Sequence, residues 1–133
     1  MSQRGSATTE VAVLTPALVM LMLLVVFCGR LGQADQDVAQ ATAEAARAVS
    51  LLRSGNHQVV ARDLVRRNLR AAGVGCRTLD VSVDAGRLRA GATVTVATRC
   101  AVDLTGVAGL GLPRQRLVAA SASEVIDTYR GDG

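Results

Sequence analysis

The feature that most constrains this chain is a long apolar run without charge, from Val11 to Gly29. It contains nineteen residues and no Asp, Glu, Lys or Arg. As an α-helix rising about 1.5 Å per residue it would be about 28 Å long, close to the hydrocarbon thickness of a bilayer. We therefore predict a transmembrane helix over 11–29, preceded by a short segment over residues 1–10 and followed by a domain over 30–133.

A carboxylate, Glu10, stands directly before this run. An ionisable group at the edge of hydrocarbon is costly and is therefore avoided or put to use. A plain anchor does not need it, and a signal peptide carries positive charge at this place. We interpret Glu10 as a functional residue. The alternative is an uncleaved single-pass protein in which Glu10 reaches the headgroups and pairs with Arg4.

The orientation of the membrane segment is only weakly indicated by charge, because Arg4 lies on one side and Arg30 on the other. The short N-terminal segment favours a cytoplasmic N-terminus. A cleaved secretory signal is the competing interpretation. Gly32-Gln33-Ala34 offers small residues where a signal peptidase reads them, which would make Asp35 the first residue of the mature chain.

Small and apolar residues continue past the membrane segment at alternating spacings of three and four. They are Leu24, Phe27, Leu31, Ala34, Val38, Ala41, Ala45, Ala48 and Leu52. This spacing predicts that one long helix extends from the membrane into the soluble domain. Because the outer part of the seam is mostly alanine, it would let another backbone approach closely, and self-association along it is one possibility.

A second, amphipathic helix is predicted over residues 57–72, after the turn Ser54-Gly55-Asn56 and before Gly73. Its polar side carries four arginines, Arg62, Arg66, Arg67 and Arg70. This face is either simply solvated or docks on an acidic partner subunit or on lipid headgroups. Binding to nucleic acid is disfavoured because no aromatic residue lies nearby to stack on bases.

The remainder of the chain predicts a small antiparallel sheet of about three strands. Residues 79–84 and 93–98 alternate apolar with polar side chains around a glycine-flanked connection, which is typical of a hairpin. Residues 105–113 are predicted to form a loop and residues 117–126 a third strand. The predicted fold class is therefore α+β, with two helices and one sheet.

The soluble part contains two cysteines, Cys76 and Cys100, and Cys28 lies in the membrane segment. If the first two strands pair antiparallel, the ends that carry Cys76 and Cys100 come together. A disulfide there would close a loop of about 25 residues and contribute roughly 3 kcal/mol. It would also place the domain outside the cytoplasm. The alternative is two buried free thiols.

No catalytic or metal-binding constellation is visible in the sequence. His57 is the only histidine, is expected to be solvated at a turn, and has no evident nucleophile beside it. Two soluble cysteines and one histidine do not make a zinc site, and no phosphate-binding glycine motif occurs. We expect a protein that is not an enzyme and holds no cofactor or metal. Net charge is +4 with no lysine.

The N-terminus has a recognisable pattern. Arg4-Gly5-Ser6-Ala7, with Glu10 and with Pro16 inside the apolar run, resembles the TadE-like family of minor pilins or pseudopilins of the tight-adherence (Flp) pilus system. The resemblance implies that residues 1–10 are a prepilin-like leader and processing site, cleaved by a prepilin peptidase between Gly5 and Ser6, and that the domain over 30–133 is extracytoplasmic. Glu10 would then be the fifth residue of the mature chain and would set the register of assembly.

The resemblance also implies the function and the partners of the chain. It would be a structural subunit in the assembly of a tight-adherence pilus or related secretion system, anchored in the inner membrane. Its partners would be other pilin-like subunits, the inner-membrane assembly platform and the prepilin peptidase. The alternative is a single-pass or secreted extracytoplasmic binding module that uses its arginine-rich face.

Overall fold

The computed structural model describes residues 4–87, 89–103 and 115–129, and the side chains of residues 4–9 and 31 are outside that description. The loop predicted over 105–113 therefore lies outside the described residues. The chain divides into two compact units, Met1–Gln33 and Ala34–Gly133.

Helix α1 begins at Arg4 and ends at Leu51. Its apolar stretch has a mean hydropathy of 2.8 and, among the described residues, is the one helix long and apolar enough to cross a membrane. The large apolar side chains there are exposed, as Met20 is to 76%. The hydroxyl of Thr15 donates to the carbonyl of Val11 at 2.6 Å. This hydroxyl is thus satisfied within its own helix, as it would have to be in a membrane-spanning helix.

The last part of α1, residues 34–51, belongs to the second unit and packs there along one stripe. The buried residues of the stripe are Val38, Ala41, Thr42, Ala45, Ala46 and Val49. It is wider than the predicted seam, because a helix lying on other elements buries positions i, i+3, i+4 and i+7 together. Ala48 of the predicted seam is only half-buried. This alanine-rich face is used inside the chain and is not left free for a neighbouring subunit.

Helix α2 runs from His57 to Ala71, one residue shorter than predicted. Its first turn is capped by Asn56, whose side chain accepts a hydrogen bond from the backbone of Val59 at 3.2 Å. Its last turn closes around Gly73, which has a φ of 76°. The backbone of Gly73 and that of Val74 return hydrogen bonds to the carbonyls of Arg70 and Leu69. Local caps at both ends explain why the sequence predicted these boundaries closely.

Within the described residues, three antiparallel strands form one sheet in the order β1-β2-β3. They are Cys76–Asp84, Thr93–Asp103 and Gln115–Val125. The predicted α+β class and the three-stranded antiparallel sheet are confirmed. All three strands are longer than, or shifted from, their predicted ranges.

One face of the sheet packs on the helices. The core joins the stripe of α1 to Ala61, Val65 and Leu69 of α2 and to the inward side chains of the sheet, Val81, Val94, Val96, Cys100 and Val118. These residues are small and aliphatic, as an aromatic-poor composition demands. The opposite face carries mostly short or polar side chains such as Ser82, Thr95 and Ser123. An ion pair between Arg116 and Asp35, at 2.9 Å, ties β3 to α1.

One hydroxyl in this core is unsatisfied. Thr98 is fully buried, and its Oγ1 has no hydrogen-bond partner among the described residues. Valine has nearly the same shape without the hydroxyl. We therefore expect Thr98→Val to raise the free energy of unfolding by about 1 kcal/mol, measured by chemical denaturation.

Thr42 supplies the matched control for this substitution. It is equally buried, but its hydroxyl donates to the carbonyl of Val38 at 2.6 Å. Thr42→Val should therefore give no stabilisation. Equal stabilisation by both substitutions would show that removing any core hydroxyl has this effect, and would contradict the assignment of Thr98 Oγ1 as unsatisfied.

Candidate functional site

The predicted processing residues lie at the beginning of α1. The backbone of Gly5 and of Ser6 is helical, and the side chains of Ser6 and Arg4 are outside the described residues. Glu10 is exposed one residue before the apolar stretch. Glu10 follows Ser6 by four positions, which is about 6 Å along a helix axis. The structure thus places Glu10 on the helix surface, where a neighbouring chain can reach its carboxylate.

A disulfide joins Cys76 at the start of β1 to Cys100 inside β2, with 5.4 Å between the two Cα atoms. Cys100 is fully buried in the core. The register shifts between Cys76 and Thr78, so that Cys76 lies opposite Val102 and Leu79 lies opposite Cys100. Such a bulge adds a residue to one strand and bends it locally. Cys28 is a free, exposed thiol in the apolar stretch.

The four arginines of α2 do not all lie on the same surface. Arg62, Arg66 and Arg70 line a groove of about 590 Å³ between α2 and β1. Arg67 is outside that lining and lies 3.8 Å from Asp63, one turn away on the exposed surface. A fourth arginine of the groove, Arg77, comes from β1 and was not anticipated from the sequence.

The rest of the groove is formed by apolar side chains and backbone. Its lining includes Leu69 and Val74 from the end of α2 and Cys76, Thr78 and Leu79 from β1, with Gly75 between them. Among the described residues, no acidic side chain lines it. The groove therefore combines four guanidinium groups with an apolar base, which suits an anionic partner that also buries carbon.

Helix α2 is held against β1 by the side chain of Gln58, which makes the backbone hydrogen bonds that a neighbouring strand would make. The amide of Gln58 donates to the carbonyl of Val81, and its oxygen accepts from the backbone N–H of Val83 at 3.0 Å. Sequence reasoning missed this role, because Gln58 sits on the helix like any polar surface residue. Glu44 of α1 likewise accepts a hydrogen bond from Asn68 of α2, which ties the two helices together.

The prediction that His57 is solvated is wrong. Its side chain is half-buried, and its Nε2 is buried with no hydrogen-bond partner among the described residues. The turn before α2 lines one pocket together with Val83 and Ala85, at the end of β1, so that His57 lies beside the sheet. Within the described residues, no group of three or more His, Cys, Asp and Glu side chains comes together in a metal-binding arrangement.

A known protein family matches the part of the chain that contains the predicted processing residues. Residues 5–47 match the TadE-like protein family. The chain carries a TadE-like N-terminal segment. The match confirms the resemblance read from the residues around Gly5 and Glu10, and it extends beyond the apolar stretch into the part of α1 that packs in the second unit. No match was found among curated proteins or among solved structures.

Some of the candidate sites lie within the residues that match the TadE-like family, and others lie outside them. Gly5, Ser6 and Glu10 lie within it. The arginine groove and the disulfide lie outside it, on α2 and the sheet. The family match therefore concerns the apolar helix and the predicted processing residues, and it does not reach the groove.

Proposed function

We propose that this protein is a structural subunit, a minor pilin or pseudopilin, in the assembly of a tight-adherence pilus or related secretion system. The observation that carries the proposal is the TadE-like match over residues 5–47, which includes Gly5, Ser6 and Glu10 together with the apolar helix. Its partners are other pilin-like subunits, the inner-membrane assembly platform and a prepilin peptidase.

The proposed mechanism begins with cleavage between Gly5 and Ser6. Cleavage creates an α-ammonium group at Ser6, and Glu10 of one subunit pairs with that ammonium on its neighbour. The pair offsets the cost of holding either charge at the edge of hydrocarbon. Because Ser6 and Glu10 are four residues apart, neighbouring helices are staggered by on the order of 6 Å. A misplaced neighbour would leave both charges unpaired, so the pair selects one register.

The proposed location is the inner membrane, with the N-terminus in the cytoplasm and the second unit outside it. The apolar stretch of α1 supports the anchor. The disulfide between Cys76 and Cys100 supports an oxidising compartment for the second unit, because structural disulfides persist outside the cytoplasm.

A second candidate function, a secreted or single-pass binding module, is favoured by one observation, the groove with its four arginines. The two functions differ in what the membrane segment does. A binding module needs the segment only for export or attachment, and substitutions at Glu10 would leave its activity unchanged.

Deletion of the encoding gene in the native host tests the proposed function. We expect the deletion strain to lose surface pili, counted by electron microscopy, and to regain them when the full chain is restored from a plasmid. A deletion strain that assembles pili in normal number would contradict the proposal. Blotting for the platform proteins in both strains controls for an indirect loss of the machine.

A further inference from the structure

The groove between α2 and β1 has a regular arrangement of charge. Arg62, Arg66 and Arg70 follow one another at intervals of four residues along α2, about 6 Å apart at the helical rise. Arg77 adds a fourth charge from the β1 side. All four side chains are exposed. Among the described residues none of the four forms an ion pair, whereas Arg67 pairs with Asp63.

The strand that borders the groove has an open edge. Among the described residues, β1 pairs only with β2. The contacts of Gln58 with Val81 and Val83 show that the odd-numbered residues of β1 direct their backbone groups away from β2. By the period of two, Leu79 directs its N–H and carbonyl the same way, into the part of the edge that lines the groove. Gln58 thus covers one end of the edge and leaves the other end open.

The spacing of the arginines matches that of an extended chain. In a β-strand, side chains at i and i+2 lie on one side and about 6.6 Å apart. This distance is close to the interval between successive arginines of α2. A strand laid along β1 would therefore present every second side chain to one arginine after another, while its backbone meets the open edge.

We propose that the groove binds an extended acidic peptide segment of a partner protein, with Asp or Glu at alternate positions. The carboxylates pair with Arg62, Arg66 and Arg70, and Arg77 holds a further carboxylate. The backbone of the peptide adds to the edge of β1 at Leu79, a recognised mode of peptide binding. Leu69 and Val74 contact the side chains between the acidic ones. The inference is independent of the proposed function, because it does not involve Gly5, Ser6 or Glu10.

Anionic lipid headgroups share the charge of such a peptide but not its shape. A headgroup would meet the guanidinium groups and make no use of the strand edge or of the apolar base. A peptide uses all three, and its repeat agrees with the repeat of the arginines. The geometry therefore favours the peptide, and lipid binding becomes an outcome of the test.

The test uses the full chain in detergent and a fluorescein-labelled peptide of alternating Glu and Val residues, followed by fluorescence polarisation. Arg66→Gln, which removes the middle charge of the groove, should weaken binding by roughly 10-fold. Arg67→Gln is the matched control, since it removes a charge from the adjacent position on the same helix but outside the groove. It should change the dissociation constant by less than about 2-fold.

Two further probes separate shape from charge. A peptide of the same composition with its Glu residues in one block should bind more weakly, as should the alternating peptide with N-methylated backbone amides. Equal weakening by Arg66→Gln and Arg67→Gln, or equal binding of the alternating and block peptides, would overturn the proposal. It would also be overturned if vesicles containing phosphatidylglycerol bound in an Arg66-dependent manner while the peptide did not bind.

Discussion

Glu10→Gln is expected to reduce co-assembly with other pilin-like subunits by at least about 10-fold, because it removes one member of the proposed charge pair at the edge of hydrocarbon and leaves the other uncompensated. Glutamine keeps the size of glutamate and one acceptor oxygen but carries no charge. The loss therefore reports on charge and not on packing. The measurement is the amount of the variant that co-purifies with pilus subunits, divided by its amount in the membrane fraction.

The control for Glu10 is Glu124, an exposed carboxylate on β3. Glu124→Gln changes net charge by the same amount and should leave co-assembly unchanged. Glu10→Asp, which retains the charge on a shorter side chain, should recover part of the loss. If Glu10→Gln assembles like the unmodified chain at equal membrane levels, the carboxylate does not set the register.

Removal of the disulfide is expected to have the largest effect on stability. Replacing Cys76 and Cys100 together by serine should lower the free energy of unfolding of the second unit by about 3 kcal/mol, since the bond closes a loop with a sequence separation of 24 residues. That is a large part of the total stability of a small domain, which is about 5–15 kcal/mol. Urea denaturation of the full chain in detergent, followed by circular dichroism, measures it.

Two comparisons test whether the loss of stability is caused by loss of the disulfide. Cys28→Ser removes a thiol outside the second unit and should leave the midpoint unchanged. A reductant should destabilise the unmodified chain but have no effect on the doubly substituted one. If reduction leaves the unfolding midpoint of the unmodified chain unchanged, the loop closure does not contribute to stability.

The parts of the fold that the sequence predicted well are those with local causes. Helix α2 carries its own caps in Asn56 and Gly73. The apolar stretch of α1 was predictable because its residues are uncharged and mostly apolar. The strand pairing followed from a period of two around a glycine-flanked connection, and it brought the two cysteines together. Each of these features depends on residues that are close in sequence.

The ends of the strands were predicted less well, because pairing and not local pattern decides where a strand stops. Strand β2 continues through Arg99 to Asp103, opposite Gln115 of β3. The alanine seam of α1 likewise had two possible partners, another subunit or the same chain. Only the tertiary structure assigns it to the core of its own unit.

The sequence alone could not predict which residues line the groove, because it does not give the direction of α2 relative to β1. Because Gln58 meets Val83 while Leu69 shares the groove with Cys76, α2 runs antiparallel to β1. That direction brings Arg77 opposite the arginines of α2. The four-residue spacing of Arg62, Arg66 and Arg70 is visible in the sequence, but the prediction that Arg67 shares their surface is wrong, because Arg67 is not part of the groove lining.

The most direct test of the proposed assembly function is the N-terminal residue of the mature protein. The protein is purified from membranes of its native host, and its N-terminus is determined by sequencing and intact mass. We expect a chain that begins at Ser6, because the ammonium group proposed to pair with Glu10 exists only after cleavage at Gly5. A chain that begins at Met1, at Ser2 or at Asp35 would contradict it.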